Sequence, residues 1–135
     1  MKPLLTLFVL LLICSYGSAQ SKKTIRNKGV SVIKTYEQDI IQGEKSMLIE
    51  KEEYFDSDGE LIEEKEISEK GRIKSWIKYE RDGEGNVLVE THLSDGGKQE
   101  LRLEYTYENG LRVEKRYYDD RDRLYKMKKY EYQYH

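Results

Sequence analysis

Apolar and polar residues alternate along most of this chain, in runs of about 8–11 residues that glycines separate. The separating residues are Gly43, Gly59, Gly71, Gly85, Gly97 and Gly110. Alternation with a period of two is typical of half-buried strands, and turn residues at this spacing favour an all-β fold. We therefore predict an antiparallel meander of about seven or eight strands, built from repeated β-hairpins. Its expected form is a strongly twisted, partly open sheet, with a closed up-and-down barrel as the alternative.

Several turns share one form, in which a three-residue loop ends in glycine: 57–59, 69–71, 95–97 and 108–110. A type I turn followed by a left-handed residue suits this form, because glycine adopts a positive φ without steric cost. Three other turns differ. We predict a loop at 82–84, a two-residue loop at 120–121, and a first turn near 42–43 whose position is open by one residue.

Pairing the strands across these loops places the large apolar residues on one face of the sheet. The predicted partners are Phe55 with Leu61, Ile49 with Ile67, Ile67 with Ile73, Tyr79 with Val87, Val87 with Tyr105, Tyr105 with Val113, and Tyr117 with Leu124. No helix or second sheet is predicted to cover this face. Because monomers rarely expose more than a few hundred Å² of contiguous apolar surface, we expect the sheet to coil, to close or to bind a partner.

The first 19 residues have the features of a secretion signal. Lys2 supplies a positive charge, 4–13 is an apolar core, and Ala19 ends a run of small residues suited to cleavage by signal peptidase. Cys14 is a poor lipidation site because Ile13 precedes it. We therefore predict an exported protein, periplasmic or extracellular, with association with the cell envelope as a further option.

The rest of the chain divides into a polar N-terminal arm, 20–29, and a β-hairpin repeat domain, 30–135. The single cysteine lies in the predicted signal, so the mature chain cannot form an internal disulfide. Charged residues make up 37% of the sequence, the formal net charge is −2, and both signs are interspersed. This pattern argues against a basic patch for nucleic acid or a membrane surface, and we expect no nucleic-acid partner and no transmembrane segment in the mature chain.

The hairpins recur about every 25 residues, with Tyr54, Tyr79, Tyr105 and Tyr130 in corresponding places. The segments 54–61, 105–111 and 129–132 resemble secreted YD-repeat-like and MORN-like β-hairpin proteins of Bacteroidota-type bacteria. The resemblance implies a scaffold of stacked hairpins without catalytic residues. Larger proteins of this kind form toxin-encapsulating shells or wall-associated proteins, and some MORN-like members are antitoxin components.

Trp76, Tyr125 and Met127 are the candidate binding residues. Counted by alternation, Trp76 projects from the polar face with Glu64 and Glu90 beside it, and the other two share an outward orientation on the last strand. An exposed aromatic residue can be a binding hot spot or a platform for a sugar. The alternative is that Trp76 covers the aliphatic stems of neighbouring lysines and arginines, or packs against the N-terminal arm.

Other chemistry-bearing residues favour simpler interpretations. The acidic turn at 56–61 suggests a calcium loop, but an EF-hand frame around Gly59 places Tyr54 and Lys65 where carboxylates are essential. His92, predicted opposite Glu100 on the polar face, has neither a cysteine nor a second histidine close in the predicted sheet. We expect no catalytic residues, no metal site and no cofactor.

The sequence therefore favours a non-enzymatic secreted repeat module for protein–protein interaction in the periplasm or cell envelope. An unidentified protein partner would bind at the edge strands or on an uncovered part of the apolar face. Two alternatives remain open. One is an immunity or antitoxin-type inhibitor that binds a toxin, and the other is a carbohydrate-binding module that recognises a cell-wall or surface glycan through Trp76.

Overall fold

The structure, a computed structural model, describes residues 21–43 and 46–135; the predicted signal, 1–19, lies outside the described residues. Within them one helix precedes eight strands: α1 (Lys22–Lys28), β1 (Val32–Glu37), β2 (Leu48–Phe55), β3 (Leu61–Ile67), β4 (Ile73–Arg81), β5 (Val87–Leu93), β6 (Gln99–Glu108), β7 (Leu111–Tyr118) and β8 (Leu124–Lys129). The strands form one antiparallel sheet in chain order. The predicted all-β meander is confirmed, and the barrel alternative is wrong because β1 and β8 remain unpaired edges of an open sheet.

Five of the loops use the same backbone geometry. The first residue of each donates its amide to the carbonyl four residues later, and its own carbonyl accepts from the residue three later. These first residues are Asp56, Ser68, Asp82, Ser94 and Asp119. The predicted loops at 57–59, 69–71 and 95–97 are confirmed.

The other predicted loops need correction. The β4–β5 loop is 83–85 rather than 82–84, because Gly85 holds the positive φ. The β6–β7 loop has only two residues, Asn109 and Gly110, both with positive φ, as a type I′ hairpin requires. The β7–β8 loop has three residues, 120–122, and Asp122 adopts φ 63° in the place that glycine takes elsewhere.

Every hairpin contains one extra residue, a β-bulge, near the start of its second strand. The register shifts past Glu50, Ile62, Lys74, Leu88, Glu100, Val113 and Tyr125. A shift of one residue exchanges the faces to which the following side chains point. The predicted single apolar face is therefore wrong, and apolar residues are shared between the two faces of the sheet.

We name these the Trp76 face and the Tyr105 face. On the Trp76 face, Glu52, Lys65 and Trp76 lie side by side on β2, β3 and β4. On the Tyr105 face, Tyr105 lies beside Lys115 on β7, and Lys115 beside Lys128 on β8.

Two of the predicted side-by-side pairs are present, Phe55 with Leu61 and Ile67 with Ile73. The other predicted pairs do not form. In the structure Ile49 pairs with Tyr36, Tyr79 with Glu90, Val87 with Arg81, Tyr105 with Lys115, and Tyr117 with Lys126. The bulges and the displaced loops account for these differences, since each moves the register by a residue or more.

Helix α1 gives the predicted polar arm a fixed position and corrects the expectation of a sheet without a helix. Ser21 caps it by accepting from the Thr24 amide at 3.2 Å, and Gly29 ends it with φ 63°. Its Ile25 is 2% exposed and is one of three buried apolar residues among those described, with Leu103 and Tyr105. The described residues include no helix with the length and apolar character needed to cross a membrane.

Candidate binding surface

Trp76 lies on β4 and is half-buried among polar partners. Its Nε1 donates to Glu63 Oε1 at 2.7 Å, and the Lys65 ammonium lies 4.3 Å from the centre of a ring of the indole. The predicted neighbours Glu64 and Glu90 are wrong, because both lie on the Tyr105 face. The Lys78 ammonium, 5.6 Å from the ring, adds a second positive group.

The indole of Trp76 also contacts the β5–β6 loop. A Cβ atom built at Gly97 would lie 3.3 Å from Trp76 Cζ3, which is tight contact. The ring is thus held between a lysine, a carboxylate and a turn. Such a ring presents little free surface for stacking with a ligand, because the ammonium group of Lys65 lies over its face and the loop at Gly97 lies against its edge.

Tyr125 and Met127 lie on β8, four strands from Trp76, or roughly 19 Å at the usual spacing of strands. Their exposed fractions are 59% and 49%. Met127 lies opposite Arg116 and shares the Trp76 face. Tyr125 is a bulge residue whose ring packs 6.2 Å from that of Tyr117, so it leans toward the other face. The three candidate residues therefore do not form one surface.

The Tyr105 face carries repeated bonds between tyrosines and glutamates. The Tyr79 hydroxyl donates to Glu64 at 2.6 Å, and the Tyr105 hydroxyl donates to Glu90 at 2.9 Å. Burial raises the pKa of both phenols, and the carboxylate beside each raises it further. These hydroxyls hold their protons at ordinary pH, so the bonds join neighbouring strands rather than supply a proton-transfer group.

His92 belongs to this network, and its predicted place opposite Glu100 on the polar face is wrong. Its Nε2 lies 2.6 Å from Glu90 Oε1, and the residue opposite it is Leu101 because Glu100 is bulged out of register. No group of three or more histidines, cysteines and carboxylates that could hold a metal ion occurs among the described residues.

The acidic turn that resembles a calcium loop uses its first carboxylate on the backbone. Asp56 Oδ1 accepts from the amides of Asp58 and Glu60, each at 2.9 Å. The same two bonds occur at Asp82 and at Asp119. This recurrence explains the aspartate by turn geometry, since Asp side chains commonly bond to their own turn.

Three lysines surround Tyr117 on the Tyr105 face. The ammonium groups of Lys115, Lys126 and Lys128 lie 4.8, 4.9 and 5.9 Å from the centre of its ring. None of the three forms an ion pair within 4 Å with a described carboxylate. We name Lys115, Lys126 and Lys128 the lysine cluster.

The lysine cluster affects the hydroxyl that it surrounds. Partial desolvation acts to raise the pKa of Tyr117, but the ammonium groups of Lys115 and Lys128 beside the hydroxyl outweigh it and lower the pKa below the ordinary value. Positive charges therefore cluster at this end of the sheet, whereas the sequence suggests that both signs are interspersed throughout. The signal that points to the cluster is the alternation of lysine in β8, at positions 126 and 128.

Comparisons with known proteins add no family assignment: no protein-family model matches this chain, and no curated protein matches it significantly.

Proposed function

We propose that this chain is a non-enzymatic repeat module that binds a protein partner in the periplasm or cell envelope. The observation that carries the proposal is the open edge of the sheet at β8, where all six residues of the strand are exposed. An edge strand offers a row of main-chain donors and acceptors that can pair with another chain. Export rests on the signal-like segment 1–19.

The character of the two faces supports binding rather than catalysis. Carboxylates such as Glu64 and Glu90 are engaged by tyrosine hydroxyls of the next hairpin, and Glu63 accepts from Trp76. A general acid or base needs a free group in a cleft, and an aromatic platform needs an uncovered ring. These side chains instead join one hairpin to the next, which gives a rigid scaffold with exposed edges.

The test is capture of a partner by purified 20–135 from an envelope extract of its source organism, followed by light scattering of the isolated complex. A complex of fixed stoichiometry with one protein is the expected result. Binding to a glycan with no protein in the complex would contradict it and would favour the carbohydrate-binding alternative. Capture of a toxin, with its activity blocked in the complex, would identify this chain as an immunity or antitoxin-type inhibitor.

A further inference from the structure

Lys115 and Lys128 lie directly opposite each other on neighbouring strands of the Tyr105 face, with Lys126 on the same face of β8. Like charges in directly opposite positions destabilise a sheet. Where two charged residues lie directly opposite each other elsewhere in the sheet, their charges are opposite in all but one pair. Examples are Glu52 with Lys65, Glu63 with Lys78, Glu104 with Arg116, and Glu114 with Lys129.

One other pair of like charges is present, and it is neutralised. Glu53 lies opposite Glu64, but the Lys51 ammonium lies 2.9 Å from the first carboxylate and 3.2 Å from the second. The lysine cluster has no such bridging group among the described residues. Its counter-charge is missing from the described part of the chain.

The repeat indicates that this lack is specific to the last hairpin. Glu64 and Glu90 each lie 15 residues before the tyrosine whose hydroxyl they accept from. The residue 15 positions before Tyr130, the corresponding tyrosine of the last repeat, is Lys115. A lysine thus occupies the place where a glutamate in this repeat would have neutralised Lys126 and Lys128.

Protection of the edge does not account for this replacement. Lysines on an edge strand discourage pairing with other chains, which would explain Lys126 and Lys128. Lys115, however, lies on β7, which pairs with strands on both sides and needs no protection. A glutamate there would retain the edge lysines and pair with them. Lys115 instead adds positive charge to theirs, and its attraction to the rings of Tyr105 and Tyr117 does not neutralise that charge.

The outer edge of β8 is open beside the lysine cluster. The segment after β8 continues along β7, because the Tyr130 amide donates to the Val113 carbonyl and the Tyr132 hydroxyl donates to the Arg112 carbonyl. On the opposite face of β8, Leu124 and Met127 are 52% and 49% exposed. The edge therefore combines main-chain groups, a cationic face and an apolar face.

We propose that the outer edge of β8 binds an extended acidic segment of a protein partner as an added strand, with its carboxylates over Lys126 and Lys128. Side chains two residues apart on both strands lie about 7 Å apart on one face, so alternate carboxylates match the two lysines. Lys115 strengthens the positive field from the strand behind. Apolar residues between the carboxylates face the side of Leu124 and Met127. This inference rests on the proposed function and assigns its site and partner chemistry.

The experiment measures binding of a fluorescent eight-residue peptide of alternating Glu and Val to purified 20–135. The comparison peptides are alternating Lys and Val, and the Glu–Val peptide N-methylated at every residue, which cannot donate main-chain hydrogen bonds. The variant is K126Q/K128Q. The matched control is K129Q, since Lys129 lies on the same strand opposite Glu114 on the other face.

We expect the Glu–Val peptide to bind wild type and K129Q equally, and K126Q/K128Q at least about ten-fold more weakly. The Lys–Val and N-methylated peptides should not bind. Equal binding by K126Q/K128Q overturns the proposal. If the N-methylated peptide binds as tightly as the Glu–Val peptide, the proposal is overturned in favour of a simple anion site. Displacement of the bound N-methylated peptide by a sulfated oligosaccharide would identify the same simple anion site.

Failure of this inference can be distinguished from failure of the proposed function. If an envelope protein is captured equally by wild type and by K126Q/K128Q, a protein partner exists but binds elsewhere. The proposed function then stands and this site is wrong. Both variants should fold, because all the substituted positions are exposed. K126Q/K128Q also removes like-charge repulsion, and K129Q loses an exposed cross-strand pair with Glu114 that contributes at most about 1 kcal/mol.

Discussion

Gly59 lies so close to Lys22 that a Cβ atom at position 59 would be 2.7 Å from the Lys22 carbonyl oxygen. The contact holds α1 against the β2–β3 loop, where the Lys22 ammonium also pairs with Glu60. The helix start is thus fixed by the absence of a side chain at one turn position. Helix α1 is the only helix among the described residues.

Substitution of Gly59 by Ala should destabilise the protein by about 2–3 kcal/mol, because it adds a clash to the cost of a positive φ. Gly71→Ala is the matched control, since φ is +75° there and nothing lies within 4 Å of the added atom. The control should lose only about 1 kcal/mol. Urea denaturation measures both, and equal losses would show that α1 is not anchored at Gly59.

Replacement of Lys51 by Met should destabilise the protein by about 1 kcal/mol at neutral pH, because Glu53 and Glu64 would face each other without a bridge. Burial opposes the charge of Lys51, but the two carboxylates prevail and raise its pKa above 10.5. Its contribution is therefore complete below pH 10.5 and is lost as the pH rises through the higher native value.

The stability difference between wild type and Lys51→Met should accordingly be smaller at pH 11.5 than at pH 7. Lys74→Met is the control, because Lys74 is exposed on β4 and forms no ion pair with any described residue. A difference that does not change with pH would contradict the bridging role of Lys51.

Acid should loosen the β7–β8 loop at a lower pH than the ordinary pKa of an aspartate, 3.8, predicts. The Arg123 amide, together with the Arg123 guanidinium, lowers the pKa of Asp119 from 3.8 to about 2. The stabilisation from this lowered pKa is present above pH 3.8 and is lost as the pH falls through about 2. Amide exchange at Arg121 and Arg123, followed by NMR, should show this midpoint.

Asp119→Ser is the control for the acid effect, because Ser68 and Ser94 occupy the same loop position in other hairpins. Each accepts from the amide four residues later at 3.2 Å without a titratable group. The variant should retain the loop and lose its acid transition. A wild-type midpoint near 3.8 would show that the bonds to Arg123 do not hold the carboxylate.

Replacing Lys128 by Glu should stabilise the protein by about 0.2–1 kcal/mol, since it supplies Lys115 with an opposite charge. The loss of attraction to the Tyr117 ring is small, because Lys128 is the farthest of the three lysines from it. The same change should raise the pKa of Tyr117, measurable by NMR with labelled tyrosine. A lower stability of Lys128→Glu than of wild type would show that repulsion between Lys115 and Lys128 does not destabilise the sheet.

Sugars should leave the fluorescence of Trp76 unchanged, because its ring is covered by Lys65 and by the loop at Gly97. Trp76→Phe should cost about 1 kcal/mol of stability through loss of the bond to Glu63. A glycan that quenches the fluorescence and binds wild type better than Trp76→Phe would instead favour the carbohydrate-binding alternative.

The turns were the most predictable part of the fold. At Gly59, Gly71 and Gly97 the backbone adopts a positive φ, and glycine is the residue that does so at least cost, so the loop follows from the residue. The β7–β8 loop escaped this rule because Asp122 takes the same conformation. It is retained there by bonds from Gln99 and Arg102 to its carboxylate.

The register was not predictable, because no particular residue type marks the position of a bulge. Ile62, Lys74 and Tyr125 occupy equivalent bulge positions yet share neither size nor polarity. Alternation within each strand survives a bulge, so the pattern looked continuous while the faces exchanged. For this reason alternation predicts the wrong neighbours for Trp76, and it does not predict the lysine cluster, whose residues lie on two strands.

Among the described residues no second sheet packs over this one, so no shared interior fixes the number of its strands. The substantial contacts link each strand to the next one in the chain, so every strand is held mainly by the strand or strands beside it. Length can then change by whole hairpins without the refitting that a shared interior would demand. Such a chain can lengthen in evolution by duplication of a hairpin. Its last strand remains an edge strand whatever the number of hairpins.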